Sequence, residues 1–414
     1  MLSRVFLASR GRSVASRCYS NATRMIDLNW SLAAAGITFG ERQSCVRNPK
    51  AVEVFAKDGA ASGAWKWAEQ GPNLEISAIP SEVKFQRLFD ACVDHMRAQP
   101  SAFVSEVAVG SFPRSAVKTR VVTTDPVIAA WVSQVMERMP SRAPMDFAEG
   151  AAHILIAPNM TVSDPARMGL TTSHGFAASH GNKLVIGGQL GMLDLLDSIA
   201  GFALALCHPG TTLIPGICAY SSDNKLALVM GSNIPGLGEA EQYGFRHYVW
   251  SGTGVAKAWR GVIRRDLSNA ESGQIADSSG NVVKTLTDPT RHPNIVAPGP
   301  ELIVIVDESS EAPAKLFSLE DPNDARLFYL SSLKSSKLFL NAEQGLRASE
   351  EFLKLCLSGK PKMRALYGKG AGLAVTKLVG SQSSRSRATA MSENVKSELA
   401  DRLRTIYPVA EFLS

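Results

Sequence analysis

Acidic residues are missing before Asp27, Cys-x-x-Cys pairs and internal repeats are missing throughout, and the longest apolar stretch is not free of carboxylates. Each absence excludes a class of protein. The six cysteines, Cys18, Cys45, Cys92, Cys207, Cys218 and Cys356, are scattered, which argues against a zinc knuckle or a disulfide framework and fits thiols in a reducing compartment. Without a repeat, solenoid architectures fall away. The most apolar stretch, residues 184–206, carries Asp194 and Asp197, and each carboxylate would cost several kcal/mol at a bilayer centre, so no transmembrane span is expected. The net charge of +6 is mostly an end effect, because Arg4, Arg10, Arg12 and Arg17 lie in the first twenty residues and the rest of the chain carries +2. That excludes a polycation of the nucleic-acid-binding type.

What is present begins at the amino terminus. Residues 1–25 hold five arginines, several serines and no acid, with Leu2, Val5, Phe6 and Leu7 able to form an apolar helical face. This is the composition of a mitochondrial transit peptide, and Arg17-Cys18-Tyr19-Ser20 resembles a matrix-protease site with a cut after Tyr19. A disordered basic tail is the competing reading. The expected location is the matrix or the matrix side of the inner membrane.

The middle of the chain alternates short apolar runs with turn residues. AAHILIAP, NKLVIGG, NKLALVMG and PELIVIVD are bounded by Gly, Pro or Asn and read as buried strands. Residues 192–206 and 322–333 have helical spacing, as do Val395, Leu399, Leu403 and Ile406 near the carboxyl end. The class is mixed α/β. Residues 59–80 read as an insertion or linker, and 381–392 as a low-complexity loop. Residues 360–387 contain seven basic side chains and no acid. They read either as a solvated loop or, through Lys360, Lys362, Arg364 and Lys369, as a contact to an anionic partner, the second expected in place of packing onto the core.

Further segments form an ordered series from about residue 32 to 333. Ala35-Gly36-Ile37 precedes Val46-Arg47-Asn48-Pro49; GSFPRSAVKTRVV at 110–122 contains the pair Arg114-Ser115; LVIGGQLG at 184–191 and LALVMG at 226–231 follow. Then come Val249-Trp250-Ser251, Gly254-Val255, Asp266-Leu267-Ser268, Thr290-Arg291 with Pro293, residues 302–307 with Pro313, and Phe328-Tyr329-Leu330-Ser331. In order and approximate spacing this series resembles the ATP-dependent phosphoenolpyruvate carboxykinases. The resemblance implies a two-domain carboxykinase-like architecture: a transit peptide at 1–25, an N-terminal domain at 26–206, a nucleotide-binding-like domain at 207–340, and a basic, partly helical region at 341–414 in place of the family's C-terminal lid. The chain is compressed around residues 131–147, and the lid is unrecognisable after Leu340.

The resemblance also implies that the chemistry is lost. The family cradles a triphosphate in a Gly-rich loop whose N–H groups wrap the phosphates and whose Lys balances their charge. Here the loop is degenerate at Gly231, Pro235, Gly236, Leu237 and Gly238. Leu237 replaces the Lys, Pro235 removes an N–H, and Glu239 adds negative charge. The family's metal ligands Lys, His and Asp fall at Asp194 or Leu195, near Ile217 beside Cys218, and at Arg246; an arginine repels a cation. No metal, cofactor or catalytic residue is therefore expected. Arg114 and Arg291 remain as vestigial anion-binding forks, for which an internal ion pair is the competing reading. His174 and His180 read as ordinary loop histidines, and Gly252-Thr253-Gly254 as a turn.

The function expected is that of a non-catalytic structural subunit of a large mitochondrial complex, with inner-membrane ATP synthase or a respiratory complex favoured over the mitoribosome. Its partners are then other protein subunits and anionic lipid, and nucleic acid enters only through a ribosomal host. The alternative is an active or ligand-sensing carboxykinase-like enzyme with an altered nucleotide site.

Overall fold

The computed structural model describes residues 32–41, 43–49, 66–67, 75–110, 115–138, 151–188, 192–220, 226–231, 247–259, 262–265, 274–277, 282–286, 295–297, 299–335, 338, 341–372, 374–375 and 389–407. The expected transit peptide, Arg114, Arg246, Arg291 and loop residues Pro235, Gly236, Leu237 and Gly238 lie outside them.

Two large mixed sheets make this a mixed α/β fold. The first runs β1 (Ser44–Arg47), β4 (Ser101–Val109), β5 (Val117–Thr123), β7 (Ala152–Ala157), β9 (Lys183–Gly187), β8 (Phe176–His180) and β3 (Glu75–Ala78), with β6 (Glu137–Arg138) pairing β4. The second runs β17 (Ile295–Ala297), β13 (Gly254–Lys257), β12 (His247–Ser251), β10 (Thr211–Tyr220), β11 (Leu226–Met230), β18 (Leu302–Asp307), β20 (Lys362–Tyr367), β19 (Lys315–Ser318) and β21 (Thr389–Ala390). A small third sheet joins β14 (Val262–Arg265), β16 (Val282–Leu286), β15 (Gln274–Asp277) and β2 (Lys66–Trp67).

The strand expectations hold because the central strands are covered on both faces, which leaves no solvent side to impose alternation. Every residue of β7 and β11 is buried. Helix α1 (Glu82–Arg97) starts where the Ser81 hydroxyl accepts the Lys84 N–H, and Phe85, Leu88, Phe89, Cys92, Val93 and Met96 form its buried stripe. That stripe covers one face of the first sheet, packing with Val104, Val122, Leu155 and Val185. Helix α2 (Pro126–Val135) has Pro126 in its first turn and Asp125 as its cap, accepting the Ile128 N–H at 2.9 Å.

On the opposite face, α2 and α3 (Met192–Ala205) join the largest core. It continues through Leu213, Leu228 and Ile303 of the second sheet to α4 (Pro322–Ser335), α5 (Ala342–Gly359) and α6 (Glu393–Arg404). One apolar cluster thus runs across residues 206 and 340, where the sequence reading drew its boundaries. The expected helical stripe at the carboxyl end holds: Leu399 and Leu403 are buried, with Val395 and Ile406 packed beside them.

Two expectations are corrected. Residues 59–80 are not only a linker, since they supply β2 to the small sheet and β3 to the edge of the first. Residues 360–367 fold onto the core. Lys360 closes α5 in a left-handed conformation, φ 46°, Pro361 is buried, and β20 lies between β18 and β19. The physical reason is that Ala365, Leu366 and Tyr367 are apolar enough to bury the strand, while Lys362 stays exposed and Arg364 half-buried. Lys360 and Lys369 are exposed, and Lys369 meets Glu311 at 3.5 Å, so the stretch is not without counter-charge. Among the described residues no helix is long and apolar enough to cross a membrane.

Candidate functional site

In open α/β sheets, ligands sit beyond the carboxyl ends of parallel strands. Here β11, β18 and β20 are parallel neighbours, and their ends bring together Gly231, Asp307 and Gly368. Gly231 stands at φ 141°, and a Cβ there would fall 2.6 Å from the Val306 carbonyl oxygen; only glycine lets the backbones approach this closely. Gly231 thus stands directly at the exit of β11.

Asp307, which the sequence reading placed at a strand end, is saturated by its own chain. It accepts the Ser309 N–H at 2.9 Å, the Ser309 and Ser331 hydroxyls, and Arg402 Nη2 at 3.5 Å. A carboxylate has about four acceptor positions. Glu308 accepts the Gly372 N–H at 2.8 Å. Residues 308–314 are laced to 368–372: Gly368 N–H donates to the Asp307 carbonyl at 2.9 Å, Lys369 N–H to that of Ala312 at 2.7 Å, and Ala314 N–H to that of Lys369 at 3.1 Å. The loops that leave β18 and β20 are therefore tied to each other at the strand exits.

Of the positions that the resemblance matches to metal ligands, Asp194, Leu195 and Ile217 are among the described residues. Leu195 is a core residue, Ile217 packs into the apolar cluster of Val229, Val304 and Val306, and the Asp194 carbonyl accepts the Ser198 hydroxyl at 2.6 Å. Among the described residues no three His, Cys, Asp or Glu side chains come together to hold a metal ion. His174 is exposed beside Ser173, while His180 ends β8 and its Nδ1 lies 2.9 Å from the Ile79 carbonyl, so the loop reading is corrected for His180. Gly252 and Thr253 form the turn of the β12–β13 hairpin.

Three polar clusters escaped the sequence reading. Beside the edge, Tyr248 on β12 faces Lys257 on β13, and the Cys218 thiol of β10 hydrogen-bonds to Tyr248. Burial lowers Lys257 to about 8, opposed by Cys218, and burial pushes the Cys218 thiol up, so it stays neutral rather than a thiolate nucleophile. The Gly110 N–H donates to the Ala258 carbonyl at 2.9 Å, which brings the start of the Arg114 segment to the end of β13.

The second cluster pins α3 to the second sheet. His247 is buried, its Nε2 3.2 Å from Asp197, while Trp259 Nε1–H donates to its Nδ1 at 3.2 Å. Because Nδ1 accepts, the ring proton sits on Nε2 and points at the carboxylate; both nitrogens are engaged, and neither is free as a general base. The only sequence signal was an acid inside the apolar run LLDSIAG.

The third joins two family-like segments. Glu106, fully buried in β4, accepts from Arg47 Nε at 2.9 Å and from Arg47 Nη2, and from Arg120 Nη2 at 3.0 Å. Its N–H donates to the Asn48 side-chain oxygen at 2.7 Å. Residues 46–49 and 110–122 thus meet in an internal ion network, locked on one carboxylate.

The chain matches no protein-family model and no curated protein. The likeness to carboxykinases accordingly remains a resemblance carried by the residues quoted, on a fold whose class is mixed α/β.

Proposed function

We propose that this chain is a carboxykinase-like protein without catalytic activity, imported into mitochondria, that serves as a structural subunit of a large complex, the inner-membrane ATP synthase or a respiratory complex before the mitoribosome. The observation that carries the reading lies at the carboxyl ends of β18 and β20, where 308–314 is bonded to 368–372 and Asp307 is taken up by its own chain. The Asp307 carboxylate is engaged by Ser309, Ser331 and Arg402 at all of its acceptor positions, which leaves it none for a metal-bound phosphate, while Glu308 ties down the Gly372 N–H. Leu237, Pro235 and Glu239 in the adjoining sequence support it. The exposed Lys360, Lys362 and Lys369 suit an anionic lipid surface, where each adds about 1 kcal/mol.

Native gel electrophoresis of solubilised mitochondria tests the subunit assignment. The protein co-migrates with a complex far larger than its 44.3 kDa, and the purified chain neither turns over oxaloacetate with ATP and Mn²⁺ nor binds MgATP with a dissociation constant below about 1 mM. Migration as a free monomer, or turnover, overturns it. The alternative of a ligand-sensing enzyme built on Arg114 and Arg291 predicts the binding that this titration would detect.

A further inference from the structure

The sequence of α6, ENVKSELADRLR, gives it a narrow apolar stripe and a charged remainder. Of its twelve residues it buries Leu399, Ala400 and Leu403, whereas α1 buries six side chains, two of them phenylalanines. The stripe joins the core together with Tyr407, whose N–H donates to the Leu403 carbonyl at 2.8 Å and so moves with the helix. The Tyr407 hydroxyl lies 2.5 Å from the point that a Cβ on Gly345 of α5 would occupy, a notch that glycine leaves open. Two cations tie the helix sideways. Lys396 Nζ lies 3.3 Å from Asp324 of α4. Arg402 reaches both strand ends, its Nη2 3.5 Å from Asp307 and its guanidinium carbon 5.6 Å from the centre of the Tyr367 ring. α6 thus lies against the carboxyl ends of β18 and β20.

The attachment is incomplete in three places. Ser81, Asp125 and Asn341 cap α1, α2 and α5 through their side chains, but Ser392 makes no such bond, so the first turn of α6 lacks that support. Arg402 Nε is sealed from water without a hydrogen-bond partner among the described residues, a loss that the docked position carries and that water would make good on release. The chain enters the helix by way of β21, two exposed residues paired with β19. A small apolar footprint, a missing cap and an unmet donor are the properties of a segment that opens at a lower free energy than the core it rests on.

We propose that α6 is a strap over the carboxyl ends of β18 and β20, closed at rest, which opens as one unit while both large sheets stay folded. Closed, it holds Arg402 on Asp307 and over the ring of Tyr367, itself 4% exposed. Opening takes the guanidinium away from that carboxylate and bares the ring beside it. Access to the two strand exits is then set by the position of α6. The device belongs to the chain's own fold and stands whether or not the chain is a subunit of a complex.

Native-state hydrogen exchange of the full chain, followed by mass spectrometry at increasing sub-denaturing urea, tests the strap. The slope of opening free energy against urea grows with the surface exposed, so the amides of α6 share one shallow slope, about a third or less of that shown by β18 and α1. Gly345→Ala loosens the strap at the end remote from Asp307: alanine suits the helix of α5 better than glycine does, while its methyl displaces the Tyr407 hydroxyl. This variant raises the opening of α6 about tenfold and keeps the shallow slope. Nitration of Tyr367 by tetranitromethane, read on its peptide, quickens by the same factor. An α6 slope as steep as that of β18 means that the helix leaves only when the whole chain unfolds, and overturns the proposal. So do amides of α6 that open one by one without a common slope, an exchange rate unmoved by Gly345→Ala, or Tyr367 labelling that stays constant while α6 opens faster.

Discussion

Glu106 and Asp307 are both strand carboxylates that meet arginine, yet they sit in opposite settings. Glu106 lies within a nine-residue strand, its side chain fully buried against Arg120, itself fully buried, and Arg47. Asp307 ends its strand, and its arginine, Arg402, is more exposed and stands off at 3.5 Å while serines and a backbone N–H do most of the bonding. A guanidinium sealed inside a sheet cannot be rescued by water when its carboxylate is removed; one that reaches solvent, as Arg402 does, can. The interior of the first sheet should therefore be the sensitive region and the edge of the second the tolerant one.

Glu106→Gln breaks the contrast most sharply. It leaves two guanidinium groups, one of them fully buried, without their carboxylate, and about 3–5 kcal/mol of unfolding free energy should disappear. Urea denaturation measures this through the midpoint at constant slope; a loss under about 1 kcal/mol would mean that Arg47 and Arg120 reach solvent. Next in size is the pH response of His153. Its folded value is about 4 against an ordinary 6.5, so the unfolded chain takes up a proton that the folded one refuses. Stability from this group is complete above about pH 6.5 and falls by about 3 kcal/mol as pH drops toward 4. Replacement by Phe should flatten that part of the pH–stability curve, and an unchanged slope would assign it to other groups.

At the second edge the effects shrink. Gly231→Ala forces a side chain against the Val306 carbonyl at a backbone angle that favours glycine, a strain of about 1–3 kcal/mol readable as a lower thermal midpoint. Asp307→Asn keeps an acceptor for one serine and loses only the charged character of the site, so about 1 kcal/mol is expected by chemical denaturation. An Asp307→Asn loss as large as that of Glu106→Gln would erase the distinction between the two regions. Smallest is Lys360, Lys362 and Lys369 to Gln, each within about ±0.5 kcal/mol in a melt, with release from anionic vesicles as the informative readout.

Much of the architecture could be read from residue order, and the reason is burial. Runs such as HILIA and LIVIV are apolar because both faces of β7 and β18 are covered, and helix spacing at 322–333 and 395–406 reports one-sided packing. β20 escaped because KMRALY mixes charge with apolar residues: its first half reaches the surface and its second half does not. The polar clusters escaped for a different reason. Glu106 and Arg120 lie fourteen residues apart, Asp197 and His247 fifty, and periodicity carries no information about which distant charges will meet. The sole trace was a carboxylate embedded in an apolar run, which is unfavourable without a partner. Of the site, Gly231 and Asp307 were located at strand ends by pattern, but the tie between 308–314 and 368–372 depends on contacts that no local rule encodes.

The small sheet has a consequence for how the chain reaches this state. Its β2 and β15 pair Lys66 with Ala276, a loop of about 210 residues, whereas the hairpins of β12–β13 and β8–β9 close over a few residues. Closing so long a loop is opposed by chain entropy until the intervening sheets have drawn its ends together. During synthesis from the amino terminus, residues 66–67 emerge long before the strand they join exists. The last seam to form is then an early segment waiting on a late one, and the first sheet must be able to stand with that seam open.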